Sequence, residues 1–465
     1  MISCCSRVGI PAMKLIVAVT IGATVSAEVS RADGTAQFPP ARLGQTYQIY
    51  EASGRVGPEG DGNLDAARVP AVLTLHNALA LALLHSPDLA AYSWEVRATE
   101  AGILQAGLPP NPELGVELEN FGGVGERRGF RSSEMTLSLS QLIELGGKRS
   151  KRERIAMLER DVAELEFEAK RIDTYVDTAK AFATALVAQR RFALKEEQLS
   201  LAEKVRDTVL GRMRAGRASS IEDVKAEVEL ESQRVEVRRA SRNLEAARHE
   251  LAATWGAKSV AFSRVEGELS AAELPPLTVL TERLRNNPDL AGAETRYRLR
   301  QSNLDLERAM QVPDVTVSAG VRRDQDTDDN VFLLGFSIPI PVFGPNSGNV
   351  LKAERRVPQQ RHLERSMEVA AVSKLQEKYS VAAALRAELV ALDTKLLPGA
   401  EKAFAAAREG YEQGKFAFID VLDAQRTLFS ARERRLETAS EFHQALLDIE
   451  RLTASPLTPV QSDRR

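Results

Sequence analysis

Residues 148 to 210 contain neither proline nor glycine. Within that run Ile155, Leu158, Val162, Leu165, Ala169, Ile172, Val176, Ala179, Ala183 and Leu186 recur at alternating steps of three and four. This is a coiled-coil seam sustained for more than four heptads. At 1.5 Å per residue such a helix reaches roughly 90 Å. A rod of that length does not fit inside a compact globule. It must lay its apolar seam on neighbours, from its own chain or from other copies.

An internal repeat organises the rest. Ser86-Pro87-Asp88-Leu89 returns as Asn287-Pro288-Asp289-Leu290, and Pro112 returns as Pro313 at the same offset. Gly146 pairs with Gly344, Gly216-Arg217 with Gly414-Lys415, and Ile221 with Ile419, all at an offset three residues shorter. Landmarks that keep their order with so little drift divide the chain into two similar halves, residues 71–260 and 278–455. Residues 261–277, with Pro275-Pro276, form the linker, and 456–465 a tail. Each half has one grammar: helix, alternating hairpin, very long helix, turn, long helix. In the second half Leu385, Leu389, Leu392 and Leu396 keep the helical stagger until Pro398 bends or breaks it.

The hairpins alternate with period two. Leu114, Val116 and Leu118 alternate with Gly115, Glu117 and Glu119; Met135, Leu137 and Leu139 with Thr136, Ser138 and Ser140. In the second half Val315, Val317, Ala319 and Val321 alternate with Thr316, Ser318, Gly320 and Arg322, and Val331 through Ile340 reads as the return strand. These strands approach the roughly 9–11 residues that cross a bilayer when tilted. A soluble hairpin packed on a core has the same pattern. If they are membrane strands, four cannot close a barrel, because the smallest single-chain barrels have about eight. Three chains would supply twelve.

The N-terminus reads as a secretion signal over residues 1–27: Lys14, a short apolar core from Leu15 to Thr24, and the small residues Val25-Ser26-Ala27. The alternative is a buried N-terminal helix. Residues 28–70, rich in Gly, Pro, Ala and Asp, read as a flexible leader. Ordered structure is expected from about Leu73, with Thr74 a candidate helix cap. Both cysteines, Cys4 and Cys5, fall in the signal, so no disulfide framework or Cys-based metal site is expected in the mature chain. No later stretch is apolar for the roughly 20 residues a transmembrane helix needs, which leaves a β-barrel open.

A net charge of −3 gives no bulk electrostatic case for nucleic acid. Among His76, His85, His249, His362 and His443 no pair has i,i+3 or i,i+4 spacing, and no HExxH is present. Gly146-Gly147-Lys148-Arg149-Ser150 lacks the first glycine and adjacent hydroxyl of a phosphate loop. With no nucleophile motif either, neither catalysis nor a cofactor is expected. Lys148, Arg149, Lys151, Arg152 and Arg154 below the first hairpin suit anionic lipid headgroups or a solvated helix face equally.

The two turn motifs are the most specific features. They are Met213-Arg214-Ala215-Gly216-Arg217-Ala218-Ser219-Ser220-Ile221-Glu222-Asp223-Val224 and Tyr411-Glu412-Gln413-Gly414-Lys415-Phe416-Ala417-Phe418-Ile419-Asp420-Val421-Leu422-Asp423-Ala424-Gln425. With the repeated Pro-Asp-Leu and the hairpins, they make residues 72–454 resemble the TolC-like outer-membrane efflux proteins. Glu144-Leu145-Gly146-Gly147-Lys148-Arg149 and Pro339-Ile340-Pro341-Val342-Phe343 are similar to the CzcC-type branch, which serves heavy-metal cation efflux.

The resemblance implies a mainly α chain with membrane β structure. Long coiled-coil helices form a periplasmic tunnel, and two hairpins give four strands to a shared 12-stranded barrel of a homotrimer in outer-membrane lipid. It implies a passive duct, without enzymatic activity, fed by an RND-type inner-membrane pump through a periplasmic adaptor. The tips Gly216, Arg217, Gly414 and Lys415 would touch the adaptor. Asp420 and Asp423, with Glu222 and Tyr411, would form the periplasmic gate, the two aspartates as an acidic ring that favours cations. The family's basic gate partner falls at Phe416. Helix capping is the plainer role for Asp420, and an ordinary helix turn the plainer role for the glycines. A multidrug or type I secretion duct fits the same architecture. A secreted coiled-coil scaffold without a pore is the reading from another class.

Overall fold

The computed structural model describes residues 69–216, 219–269 and 271–457. The expected signal, almost all of the expected leader, Arg217 and residues 458–465 lie outside the described residues. The first half runs β1 (Val72–Thr74), α1 (Leu75–His85), α2 (Pro87–Ala106), β2 (Glu113–Glu119), β3 (Glu134–Ile143), α3 (Lys148–Arg214) and α4 (Ser220–Ala253). The second runs β4 (Arg264–Glu266), α5 (Leu277–Arg283), α6 (Pro288–Ala309), β5 (Val315–Asp324), β6 (Asn330–Ser337), α7 (Ser347–Ala391), α8 (Leu397–Glu412) and α9 (Phe418–Thr453).

The repeated Pro-Asp-Leu is a helix start. Ser86 Oγ accepts the Leu89 N–H at 3.4 Å, and Asn287 Oδ1 accepts the Asp289 N–H at 2.8 Å. Pro87 and Pro288 take the first helical position, where a missing N–H costs nothing. Such caps contribute about 1 kcal/mol each. Thr74 likewise caps α1 through Asn77 N–H at 3.3 Å.

The 67 residues of α3 make a rod of about 100 Å. Ile155, Leu158, Ala169, Ile172, Val176, Ala179, Ala183 and Leu186 of its seam are buried, and Val162 and Leu165 half-buried. Above, α3 packs against α2 and α6, and α6 against α7; below, it packs against α4 and α9, and α9 against α7 and α8. The main core gathers where the halves meet, around Trp255, Phe262, Phe182, Leu251, Phe442 and Ile449. There β1 pairs in parallel with β4 and buries Leu73 against Val265.

The second long helix is not continuous. It ends at Ala391, passes through a π turn over Leu392–Leu396, and resumes as α8. Pro398 has no N–H for the Thr394 carbonyl and its ring would crowd it. The wider turn, closed by Leu397 N–H to Leu392 O, accommodates this. Leu392 stays buried, but Leu396 is thrown outward.

The hairpins join in one antiparallel sheet of order β2-β3-β5-β6. Registers such as Leu114–Leu139, Leu139–Ala319 and Ala319–Leu334 put Leu114, Val116, Leu118, Met135, Leu137, Val317, Val321, Phe332 and Phe336 with them on one face. That face is uncovered: Val116, Leu137, Phe332, Leu334 and Phe336 are exposed. The other face is mainly polar, with Leu142, Val331 and Leu333 the exceptions. Arg322 there donates to Thr136 Oγ1 at 3.1 Å and pairs with Glu134 at 2.8 Å and Glu119 at 3.5 Å. A strand of ten residues is about 34 Å long, enough for a tilted crossing. Within the described residues β2 and β6 each have one unpaired edge. The return strand stops at Ser337, short of the expected Ile340, because Pro339 has no N–H for a ladder.

Candidate functional site at the helical tip

The tip is built from two helix–turn–helix joints. At the first, α3 stops with Gly216 at φ +70°, and its N–H returns to Met213 O at 2.9 Å. At the second, Gly414 stands at φ +77°, bonded to Tyr411 O at 2.9 Å, and Lys415 N–H reaches Gly410 O at 2.8 Å. Both glycines occupy the left-handed region that other residues enter at a cost. Lys415 is exposed. Arg217 lies outside the described residues.

A small apolar core binds the joints together: Val209 from α3, Ala226 from α4, Ala407 and Tyr411 from α8, and Phe418, Val421 and Leu422 from α9. Tyr411 is buried, with its ring tilted against Phe418 at 5.8 Å between centroids. Burial pushes its phenol above the ordinary value, Arg212 pulls the other way, and Glu222 adds to the rise. Among the described residues its hydroxyl finds no hydrogen-bond partner. Glu222, half-buried in the first turn of α4, lies within reach of Ser219 Oγ at 3.5 Å.

Asp420 and Asp423 share the exposed side of α9, while Val421 and Leu422 turn inward. Asp420 also caps: its Oδ2 accepts the Ala417 N–H at 2.9 Å. Ala417 has no side-chain acceptor to return the bond, so this is half of a capping box. The carboxylate sits at the positive end of the helix dipole.

One residue escaped the sequence reading. Arg212, in the last turn of α3, lays its guanidinium 4.3 Å from the Tyr411 ring centroid and donates from Nη1 to the Tyr411 carbonyl at 2.9 Å. It is a cation on the Tyr411 ring from within the same chain. Phe416, where the family has its basic partner, lies instead over Gly410, whose missing side chain makes room for the ring. The only sequence signal was a basic residue in a last helical turn, which is common.

Below the sheet, the basic cluster divides. Lys148 is buried, with Nζ 2.7 Å from both Asp314 Oδ1 and Val312 O. Arg152 grips Glu144 with two bonds, one at 2.9 Å. These two are engaged inside the chain and do not face headgroups. Among the described residues no three His, Cys, Asp or Glu side chains converge as a metal site, and no helix is long and apolar enough to cross a membrane.

The model of the family described as "Outer membrane efflux protein" matches residues 78–257 and 279–455. The chain belongs to that family. It is 35% identical to the "Cobalt-zinc-cadmium resistance protein CzcC" of Cupriavidus metallidurans over 82% of this chain and 90% of that one. It is 26% identical to the "Nickel-cobalt-cadmium resistance protein NccC" of Alcaligenes xylosoxydans xylosoxydans over 64% of this chain and 66% of that one. In fold it matches the crystal structure of CusC with a TM-score of 0.71 at 18% identity, covering 82% of this chain and 91% of that one. This outer-membrane efflux protein therefore has the TolC-like architecture: an outer-membrane β portion above a long periplasmic helical portion.

Proposed function

We propose that the chain is the outer-membrane exit duct of a tripartite heavy-metal efflux system. It works as a homotrimer and receives cations from an RND-type inner-membrane pump through a periplasmic adaptor. The carrying observation is the four-stranded sheet, apolar and exposed on one face, mainly polar on the other, with both edges unpaired. In lipid each unpaired backbone group costs several kcal/mol, so the edges must meet other copies. Three copies make a barrel of twelve strands around a polar lumen. The helices ask for the same closure. Among the described residues α4 packs mainly on α3, and it exposes Ile221, Val224, Val228 and Val235 at heptad spacing.

At the tip, Asp420 and Asp423 from three copies set six carboxylates around the mouth. Glu222, Tyr411 and Arg212 hold it shut, and Gly216, Arg217, Gly414 and Lys415 present the turns to the adaptor. Untwisting at this tip opens the duct, driven by adaptor contacts that favour the open state. The cargo assignment rests on the relatives, whose names carry cobalt, zinc, cadmium and nickel. The test is growth inhibition of a deletion strain across zinc, cobalt, cadmium, nickel, copper, silver and a drug panel. Selective sensitivity to divalent cations, restored by the wild-type chain, supports the proposal. Sensitivity to drugs alone overturns the cargo and moves the duct to the multidrug branch.

A further inference from the structure

Beyond the last rung of β6 the chain keeps its outward apolar rhythm. Phe332, Leu334 and Phe336 on the apolar face are followed at the same period by Ile338, Ile340 and Val342, all exposed, Ile340 by 83%. Phe343 after them is 97% exposed. None of the six residues 338–343 belongs to a strand. Extended backbone without a ladder is normally excluded from lipid, because its N–H groups have no partner there. This segment removes half of that penalty on the N–H side. Pro339 and Pro341 have no N–H, and the Val342 N–H closes onto Ile340 O at 3.0 Å. The equivalent joint of the first half is built differently: Leu145 N–H is tied to Asp314 Oδ1 at 2.9 Å. Directly after the segment, α7 exposes Lys352, Arg355 and Arg356 in its first three turns, where phosphate headgroups would meet them.

We propose that residues 338–343 form a lipid-inserting collar, whose partner is the acyl-chain and headgroup boundary of the periplasmic leaflet. This rests on the reading of the sheet as a barrel wall. The collar sits at the joint between barrel and tunnel and fixes the depth of the channel in the membrane, a role that aromatic and apolar side chains take at membrane interfaces.

Cys4 and Cys5 are the two cysteines of the sequence, so with both replaced single cysteines report cleanly. Ile340→Cys and Phe343→Cys are made in the full chain with Cys4→Ser and Cys5→Ser. Leu334→Cys on the sheet and Val369→Cys on α7 serve as references. Each is labelled with an environment-sensitive fluorophore and reconstituted in phosphatidylethanolamine–phosphatidylglycerol vesicles doped with spin-labelled lipid, shallow or deep. The expected result is quenching at 340 and 343 mainly by the shallow probe, at 334 by the deep probe, and at 369 by neither. Quenching at 334 with water-like emission at 340 and 343 overturns the collar and leaves the barrel standing. Blue-shifted emission at 340 and 343 without quenching overturns it in favour of a second copy of the chain as occupant. Quenching at no position overturns both the collar and the barrel reading beneath it.

Discussion

Arg212 and Tyr411, 199 residues apart in sequence, meet at the tip: the guanidinium covers the phenol ring at 4.3 Å and donates to the tyrosine's own carbonyl at 2.9 Å. The pair ties the end of α3 in the first half to the end of α8 in the second. One side chain thereby engages both the ring face of Tyr411 and the backbone at the end of α8, beside the Gly414 turn.

The first prediction concerns that tie. A cation–π contact contributes about 0.5–2 kcal/mol, and a hydrogen bond to a charged group about 1.5–3 kcal/mol. Arg212→Ala is expected to favour the open tip by about 2 kcal/mol, roughly thirty-fold in the open-to-closed ratio. In planar bilayers the variant should conduct without adaptor far more often than the wild type. Arg212→Lys keeps the charge but not the planar stack, so it should fall between the two. An unchanged closed conductance in Arg212→Ala would remove Arg212 from the latch.

The second separates two roles of the acidic residues. Asp420 both caps α9 and faces outward; Asp423 faces outward one turn later. Asp420→Ala should lower stability by about 0.5–1 kcal/mol through the lost cap and dipole contact. Asp423→Ala should leave stability unchanged. The double variant should lower cation selectivity, read as the reversal potential in a salt gradient. If only the melting temperature moves, Asp420 is a cap and the acidic ring is not the selectivity element.

The third is a pH dependence. Burial alone would raise the Asp448 carboxyl, but Lys180 and Lys378 bracket it and hold it below its ordinary value. Lys378 is raised in turn by its bond to Asp448. A carboxyl depressed in the folded state contributes stability above its unfolded value. That stability is lost as pH falls through the depressed folded value. The wild type should therefore lose stability below about pH 4 more steeply than Asp448→Asn, which lacks the titration. At neutral pH the Asn variant should be the less stable of the two. Parallel melting curves across acid pH would show that the cluster contributes nothing through this residue.

Much of this fold was legible because it is periodic. The α3 seam and the Ser86-Pro87 and Asn287-Pro288 starts depend on local spacing, which the chain carries openly. So does the apolar side of each strand. The strand end at Ser337 was legible in Pro339 but overridden by the apolar alternation, which continues past it without a ladder. Arg212 was hidden for a different reason. Its partner is chosen by how far α3 slides along α8, and no pattern within either helix encodes that register. The π turn was half visible: Pro398 announces a break, but widening over Leu392–Leu396 rather than stopping depends on neighbours holding both flanks. Arg434 on Glu388 before the turn and Arg432 on Glu401 after it do this.

The last prediction tests the orientation of the sheet. Leu334 and Ser140 are residues of one sheet on opposite faces, Leu334 on the exposed apolar face and Ser140 on the polar one. If the apolar face meets lipid, Leu334→Arg places a charge near the bilayer midplane, at a cost of about 2–4 kcal/mol per chain. If three chains share one barrel, the cost is repeated three times in the assembly. Ser140→Arg puts the same side chain into the aqueous lumen, opposite Glu113 in register, where it finds water and a carboxylate. The expected outcome is loss of heat-modifiable trimer and of outer-membrane fractionation for Leu334→Arg, and retention of both for Ser140→Arg. The reverse pattern would turn the sheet inside out. Equal tolerance of both would mean that neither face meets lipid, as in the scaffold without a pore.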